Sequence, residues 1–251
     1  MRPLLVLLTL LTLGAAPRPT DVVIDYAGSL VTAMEGPIAK AATKEGLHVV
    51  GEARGSTALT HLIEAHLRTP DVFISADRSL VDELARNGFI ASSRTFASAT
   101  LVLGYSPASA HLDLFERAKQ GKITVAGLLR TPGLRIARTD PALDPKGART
   151  IQALKLLGLP PDLGIVFPEE DLLVRLETGE ADIAFLYSTE ALERNIPWIA
   201  LPGKASLSGE ITYTLAVMKA APHPEGAKRF ASFIFSGAGR PILERAGLDY
   251  F

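Results

Sequence analysis

The sequence of 251 residues contains no cysteine. Disulfides, thiolate metal sites and cysteine nucleophiles are therefore excluded, and we expect no lipid-modified N-terminal cysteine. An excess of charge of one sign is also missing, because 26 basic and 27 acidic residues leave a formal net charge of −1. Without a basic excess the chain has no electrostatic footprint for nucleic acid. Any anion that the protein binds has to be held by local geometry.

Long apolar runs are scarce, and the most prominent one lies at the N-terminus. Residues 1–3 form a short basic start, residues 4–13 are apolar apart from two threonines, and residues 14–16 are small. An apolar run of about ten residues is too short to cross a bilayer core of about 30 Å as a helix. The pattern is typical of a secretory signal peptide. We expect residues 1–20, approximately, to be removed and the mature protein to work outside the cytoplasm, in a periplasm, without a lipid anchor.

Apolar runs alternate with amphipathic stretches along the rest of the chain, which predicts an α/β fold. Three strand–helix units lie within the first 90 residues and predict parallel strands with right-handed crossovers. The economical arrangement has two lobes, residues 21–98 plus 208–251 and residues 99–207, between which the chain crosses twice. Ligands of open α/β sheets lie beyond the carboxyl ends of the strands, so the cleft between the lobes is the predicted site. Strands are predicted at residues 21–26, 47–51, 71–75, 100–105, 134–138, 165–167, 183–187, 198–201 and 212–218.

Two Gly-Ser pairs stand between a predicted strand and a predicted helix of lobe one. Gly28-Ser29 follows the first strand and Gly55-Ser56 follows the second. Serine is a common helix N-cap, so each pair by itself fits an ordinary cap. A helix N-terminus also offers free N–H groups and the positive end of the helix dipole. Two such ends in one lobe predict a neutral cradle for a dehydrated anion.

Acidic residues occupy two strand ends of lobe two. Asp140-Pro141 and Asp144-Pro145 enforce an extended loop, because proline disfavours helix in the residue before it. Gly147 would let a ligand approach the backbone closely. Glu169 and Glu170 precede the next predicted helix. Each of these features also fits an ordinary turn or a solvated helix cap.

Taken in chain order, these segments resemble the molybdate/tungstate-binding proteins of ABC transporters, and more closely their archaeal-type tungstate/molybdate branch. That family has a type II periplasmic-binding-protein fold, in which two α/β lobes joined by a two-strand hinge close on the ligand. The resemblance implies a monomeric solute-binding subunit that is not an enzyme, needs no cofactor and delivers molybdate or tungstate to a membrane permease with its ATPase. The matching segments span almost all of the chain after residue 20 and are Tyr26-Ala27-Gly28-Ser29-Leu30, Gly55-Ser56, residues 70–77, residues 140–149 and residues 169–187.

The resemblance also implies roles for individual residues. The implied ligand-binding residues are Ser29, Ser56, Asp144, Lys146, Glu169 and Tyr187. The two serines would donate hydroxyl and backbone N–H groups, Lys146 its backbone N–H, and Tyr187 its hydroxyl. Asp144 and Glu169 would bind the molybdenum or tungsten atom itself. Because the chain is shorter than the archaeal-type branch between these two residues, Asp140 and Glu170 are the second choices.

Three other functions stay open at the level of sequence. One is a ligand-sensing or adaptor protein with the same two lobes, which would bind a receptor rather than a permease. The same fold could bind sulfate, phosphate or an organic acid. A secreted α/β enzyme could use Asp144 and Glu169 as an acid/base pair, although the sequence has neither a Gly-x-Ser-x-Gly elbow nor a phosphate-loop motif. Molybdate and tungstate themselves are not separated by the sequence, because the two ions have nearly the same size and charge.

Overall fold

The computed structural model describes residues 19–251, so the predicted signal peptide at residues 1–20 lies almost entirely outside the described residues. Within residues 19–251, no helix is both long enough and apolar enough to cross a membrane. The strands are β1 Thr20–Ala27, β2 Leu47–Arg54, β3 Val72–Ser75, β4 Ile90–Ala99, β5 Leu101–Tyr105, β6 Ile136–Thr139, β7 Ile165–Phe167, β8 Ile183–Tyr187, β9 Trp198–Ala200, β10 Ile211–Met218 and β11 Asp249–Tyr250. The helices are α1 Val31–Ala33, α2 Ala39–Lys44, α3 Ser56–Glu64, α4 Arg78–Arg86, α5 Leu112–Lys119, α6 Val125–Leu129, α7 Pro145–Leu156, α8 Glu169–Glu177, α9 Ser188–Glu193, α10 Pro224–Ile234 and α11 Arg240–Arg245. The predicted α/β class is confirmed.

The first sheet has six strands in the order β11-β4-β10-β3-β1-β2. Strand β1 pairs in parallel with β2 and β3, as the first strand–helix units predict. Strand β10 is antiparallel to both β3 and β4. Apolar side chains of α1, α2 and α10 cover one face of this sheet, and those of α3 and α4 cover the other. We call this sheet with its helices lobe one.

The second sheet has five strands in the order β7-β6-β8-β5-β9. Strand β6 pairs in parallel with β7 and β8, and β5 is antiparallel to β8 and β9. Helices α5, α6 and α7 cover one face, and α8 and α9 cover the other. We call this sheet with its helices lobe two. Its strands come from residues 101–200, and the exact lobe limits given by the sequence stay predictions.

Strand β4 has no counterpart among the predicted strands. Its sequence, IASSRTFASA, is exposed over most of its first half, so the alternation of apolar and polar residues that marks a half-buried strand is missing. Backbone pairing with β10, from Ile211 opposite Ala99 to Met218 opposite Ile90, makes this segment a strand. The chain passes from β4 through Thr100 into β5 of lobe two.

The helix predicted after β1 is present but uneven. It begins with a 3-10 turn at Gly28–Leu30 and contains a π turn at Met34–Ile38 around Pro37. Proline has no N–H and its ring clashes with the carbonyl four residues earlier. The wider π turn accommodates that ring and lets the helix continue into α2.

Lobe two is anchored by the buried carboxylate of Asp182, which precedes β8. It accepts hydrogen bonds from the Arg135 amide (2.9 Å), from the Arg135 guanidinium (2.7 and 2.9 Å) and from the Ser109 hydroxyl (2.8 Å). Burial by itself would raise the pKa of Asp182, but these hydrogen bonds outweigh it and lower the pKa to about 2. The ionised carboxylate therefore ties β6 and β8 to the loop before α5.

We expect Asp182→Asn to destabilise the protein by about 2–3 kcal/mol at pH 7, because a pKa of about 2 lies roughly two units below that of an unfolded aspartate. A lowered pKa gives stability that is present above the unfolded pKa and is lost as the pH falls through the folded one. The difference from wild type should therefore shrink by about half at pH 3. Urea unfolding at both pH values measures it. The control is Asp113→Asn, because that carboxylate is 87% exposed and should change stability little.

Candidate functional site

The polar segments predicted to bind a ligand lie at the carboxyl ends of parallel strands in both lobes, and these ends face each other. The Ala58 amide in the first turn of α3 donates to the Leu143 carbonyl of lobe two at 3.0 Å. The Arg149 guanidinium of α7 pairs with Asp77 of lobe one at 3.1 Å. We call the space between these strand ends the cleft.

The two predicted serines lie on the lobe-one side of the cleft. Ser29 and Ser56 follow β1 and β2, and both are buried. The Ser29 hydroxyl is 2.8 Å from the Tyr213 hydroxyl on β10. The Ser56 hydroxyl accepts a hydrogen bond from the Ala76 amide at 3.1 Å. Both hydroxyls are therefore held in place by neighbours in their own lobe. Within residues 19–251 the Ser56 hydroxyl donates no hydrogen bond.

Asp144 caps helix α7 on the opposite side. Its Oδ1 accepts a hydrogen bond from the Lys146 amide at 3.1 Å. Its Oδ2 is buried and has no hydrogen-bond partner among the described residues. An unpaired buried carboxylate oxygen is costly, so it marks a position where a ligand atom would be stabilised.

Glu169 begins helix α8 and reaches across the cleft to lobe one. Its side chain is 12% exposed, and its Oε1 is 3.6 Å from the Lys146 ammonium. Burial raises the pKa of Glu169 to about 7 against the opposing charge of Lys146, and the charges of Asp144 and Glu190 act in the same direction as burial. Its carboxylate therefore belongs to one electrostatic cluster with Asp144.

Both the side chain and the backbone amide of Lys146 lie in the site. The ammonium is buried and pairs with Glu190 at 2.5 Å, and it lies 5.8 Å from the centre of the Tyr187 ring. Burial would lower the pKa of Lys146, but the negative charges of Glu190, Glu169 and Asp144 outweigh it and raise the pKa above its usual range. The ammonium is therefore a permanent positive charge inside an acidic cluster. The Lys146 amide, predicted as a ligand donor, already donates to the Asp144 cap.

Tyr187 ends strand β8 with its hydroxyl directed into the protein. This oxygen is buried and has no hydrogen-bond partner among the described residues. Burial and the charge of Asp144 raise the pKa of Tyr187 well above its usual range, so the hydroxyl keeps its proton. A protonated, unpaired hydroxyl close to a carboxylate is suited to donate a hydrogen bond to a bound anion.

Glu190 and Tyr213 belong to the cleft but are missing from the predicted ligand set. Glu190 Oε2 accepts a hydrogen bond from the Tyr187 amide at 2.7 Å, while its other oxygen holds Lys146. A capping box is marked in a sequence by serine or threonine three residues before the glutamate, and here that residue is Tyr187, so no such signal pointed to this position. Tyr213 gave no signal, since its sequence marks only a strand.

The second-choice acidic residues sit differently from the first. Asp140 is partly exposed and its carboxylate accepts a hydrogen bond from the Ala142 amide within its own turn. Glu170 is exposed. Gly147, expected to admit a ligand, packs against its own loop instead, because a Cβ there would lie 2.6 Å from the Thr139 carbonyl oxygen.

A cavity of about 260 Å³ opens next to the Asp144 and Glu169 carboxylates and has walls from both lobes. Lobe one contributes Gly55 and Ala58, and lobe two contributes Asp144 and Glu169. No group of three or more metal-ligating side chains that could hold a resident metal ion occurs within residues 19–251. The cleft thus combines three acidic side chains, one buried ammonium and several hydroxyl groups.

Several known proteins are similar to this chain in sequence or in fold. A putative ABC transporter molybdenum-binding protein of Haloferax volcanii is 32% identical over 210 residues, which are 78% of this chain and 64% of that protein. The molybdate/tungstate-binding protein WtpA of Pyrococcus abyssi is 24% identical over 93% of this chain and 85% of its own length. The periplasmic molybdate-binding protein of Azotobacter vinelandii superposes with a TM-score of 0.75 at 22% identity, covering 92% of this chain and 98% of its own.

These comparisons confirm the predicted resemblance and the predicted periplasmic-binding-protein fold. The sequence model of the family described as bacterial extracellular solute-binding protein matches residues 22–249, nearly all of the described chain. The chain therefore belongs to the bacterial extracellular solute-binding protein family.

Proposed function

We propose that this protein is the extracytoplasmic solute-binding subunit of an ABC importer and that it captures molybdate or tungstate in the cleft. The observation that carries the proposal is that the buried Asp144 carboxylate and the Glu169 carboxylate, which is 12% exposed, face hydroxyl donors at the strand ends of the two lobes. The relatives named as molybdenum-, molybdate- or tungstate-binding proteins support the same ligand class.

The charges of the cleft argue for an oxyanion with a Lewis-acidic centre. Asp144, Glu169 and Glu190 together carry up to three negative charges, and Lys146 supplies one positive charge. A dianion that only accepted hydrogen bonds would be repelled by the excess of carboxylates. Molybdenum(VI) and tungsten(VI) can bind further oxygen atoms beyond their own four, whereas sulfur and phosphorus do not readily do so. Asp144 and Glu169 would then act as ligands of the metal and would disfavour sulfate.

The remaining groups of the cleft would hold the oxygen atoms of the oxyanion. Tyr187 offers a protonated hydroxyl that has no partner among the described residues. The Ser56 hydroxyl donates no hydrogen bond in the described part of the chain, and Ser29 shares a hydrogen bond with Tyr213. Hydroxyl donors neutralise little charge, so the selectivity would come from the two carboxylates.

The mechanism would be capture and delivery without chemical conversion. Closure of the two lobes removes water from the ligand, and the closed form docks on a membrane permease that works with its own ATPase. In this proposal residues 1–20 are a signal peptide, the mature protein is a periplasmic monomer without a lipid anchor, and it needs no cofactor.

Calorimetric titration of the mature protein with molybdate, tungstate and sulfate at neutral pH tests the ligand class. We expect one-to-one binding of molybdate and tungstate, with sulfate weaker by at least about a thousandfold, equivalent to roughly 4 kcal/mol. Sulfate binding of comparable strength would remove the role proposed for the carboxylates. Absence of heat with all three ions would contradict the oxyanion proposal and favour an organic acid or an enzyme substrate.

A further inference from the structure

The glycine before each cleft serine lies against an acidic segment of the opposite lobe. At Gly55 the neighbour is the backbone before α7. A Cβ added there would lie 2.4 Å from the Leu143 carbonyl oxygen and 3.1 Å from the Asp144 Cβ. The same Leu143 carbonyl accepts the 3.0 Å hydrogen bond from Ala58 that joins the lobes. A side chain at position 55 would therefore overlap the backbone on which Asp144 is carried.

At Gly28 the neighbour is the side chain of Glu169. A Cβ added to Gly28 would lie 2.0 Å from one carboxylate oxygen of Glu169 and 2.4 Å from the other. Glu169 occupies this space with its carboxylate 3.6 Å from the Lys146 ammonium. An alanine at position 28 would therefore force this carboxylate out of its observed position.

Backbone conformation does not explain either glycine. Gly55 has φ −54° and ψ 129°, which any residue can adopt. Gly28 is not one of the glycines with positive φ. Glycine is therefore needed at these two positions because a side chain would overlap the other lobe, and not because of the backbone conformation.

We propose that Gly28 and Gly55 are positioning residues, each forming a socket that admits one acidic residue of lobe two when the lobes close. Gly55 admits the Leu143–Asp144 backbone, and Gly28 admits the Glu169 carboxylate. The inference rests on the proposed function, because the sockets set where the two carboxylates meet the oxyanion. In each Gly-Ser pair the glycine thus places an acidic group next to the serine that follows it.

Substitution of the two glycines should have different effects, because the group next to Gly55 is backbone and the group next to Gly28 is the end of a side chain. The Leu143–Asp144 backbone cannot move without the loop, so Gly55→Ala should hold the lobes apart. It should weaken tungstate binding by at least about tenfold, the lower part of the range for overpacking. The Glu169 carboxylate is the end of a flexible side chain, so Gly28→Ala should leave closure intact and displace only that carboxylate. Its affinity loss should then match that of Glu169→Ala.

Distances between spin labels test the Gly55 socket. Because the chain has no cysteine, the pair Arg86→Cys and Lys155→Cys places one label on the exposed surface of each lobe. We expect a short-distance population in wild type, increased by tungstate, and its loss in Gly55→Ala with and without tungstate. The matched controls are Gly36→Ala and Gly237→Ala, where an added Cβ meets no atom within 4 Å. The melting temperatures of all variants should stay within about 4 °C of wild type.

A double-mutant cycle tests the Gly28 socket. If Gly28 acts through Glu169, the double variant Gly28→Ala/Glu169→Ala should bind tungstate no more weakly than Glu169→Ala alone. A role of Gly28 in the stability of lobe one would make the two losses add. The cycle therefore separates positioning of the carboxylate from a general structural effect.

The outcomes test the socket proposal and the proposed function separately. The socket proposal is overturned if Gly55→Ala reaches the wild-type short distance, or if the losses of the Gly28 and Glu169 variants add. If tungstate changes neither heat nor distance in wild type, the proposed function fails, and the ligand-free distances of wild type and Gly55→Ala still decide the socket proposal. A wild type without any short-distance population overturns the socket proposal directly.

Discussion

Replacing the Asp144 and Glu169 carboxylates together, as Asp144→Ala/Glu169→Ala, is expected to weaken tungstate binding by roughly 10²- to 10⁴-fold. The estimate takes about 1.5–3 kcal/mol for each charged group that contacts the ligand. The two residues are singled out by burial and position. Asp144 has an oxygen without a partner among the described residues, and Glu169 lies across the cleft in contact with Gly28. Calorimetric titration of the purified variant gives the affinity directly.

Sulfate provides the contrasting measurement on the same variant. Because the carboxylates repel an ion that cannot bind them, their removal should leave sulfate binding unchanged or strengthen it. The ratio of tungstate to sulfate affinity should therefore fall by at least as large a factor as the tungstate affinity itself. A double variant that keeps both the affinity and the ratio would show that these carboxylates do not contact the metal.

The neighbouring acidic pair supplies a matched control. Asp140→Ala/Glu170→Ala removes the same number of negative charges from the same two segments, but from side chains that are partly or fully exposed. Solvent screens such charges, so tungstate affinity should change by less than about threefold. A large effect of this control would transfer the proposed role to Asp140 and Glu170.

Much of the fold could be predicted because strands β3, β5, β6 and β8 are buried on both faces and therefore read as apolar runs. Strand β8, Ile183–Tyr187, is fully buried and was predicted with the same bounds. Strand β4 was missed because its pairing partner, β10, comes more than a hundred residues later. Only backbone hydrogen bonds mark it as a strand, and their partners are not readable from a local window.

The candidate site could be predicted only as a set of strand ends. The serines and acidic residues lie at those ends because parallel strands direct them to one edge of each sheet. The burial of Lys146 was not predictable in this way, since a lysine in the first turn of a helix is usually solvated. Its position depends on Glu190, which is far along the chain and buried in the same cluster. The close contacts of Gly28 and Gly55 were not predictable for the same reason, because the groups next to these glycines belong to the other lobe.

Lys146→Met is expected to lower the free energy of unfolding by about 3–5 kcal/mol, the usual cost of removing one partner of a buried ion pair. The ammonium is 1% exposed and faces Glu190 at 2.5 Å and Glu169 at 3.6 Å. Methionine keeps the apolar stem, so the loss reports the charge and not the packing. Urea unfolding measures it, with Lys155→Met as the control because that lysine is exposed on the same helix.

The double variant Lys146→Met/Glu190→Gln separates two ways in which the ammonium could support oxyanion binding. It removes one positive and one negative charge, so the net charge of the cluster returns to the wild-type value, and the new amide oxygen at position 190 can still accept the hydrogen bond from the Tyr187 amide. Much of the stability lost in Lys146→Met should return, because no uncompensated buried charge remains. If Lys146 supports binding only by balancing the charge of the acidic cluster, the double variant should bind tungstate with an affinity close to that of wild type. If stability returns and affinity does not, the ammonium itself contacts the oxyanion, and the lysine side chain joins Asp144 and Glu169 among the groups that touch the ligand.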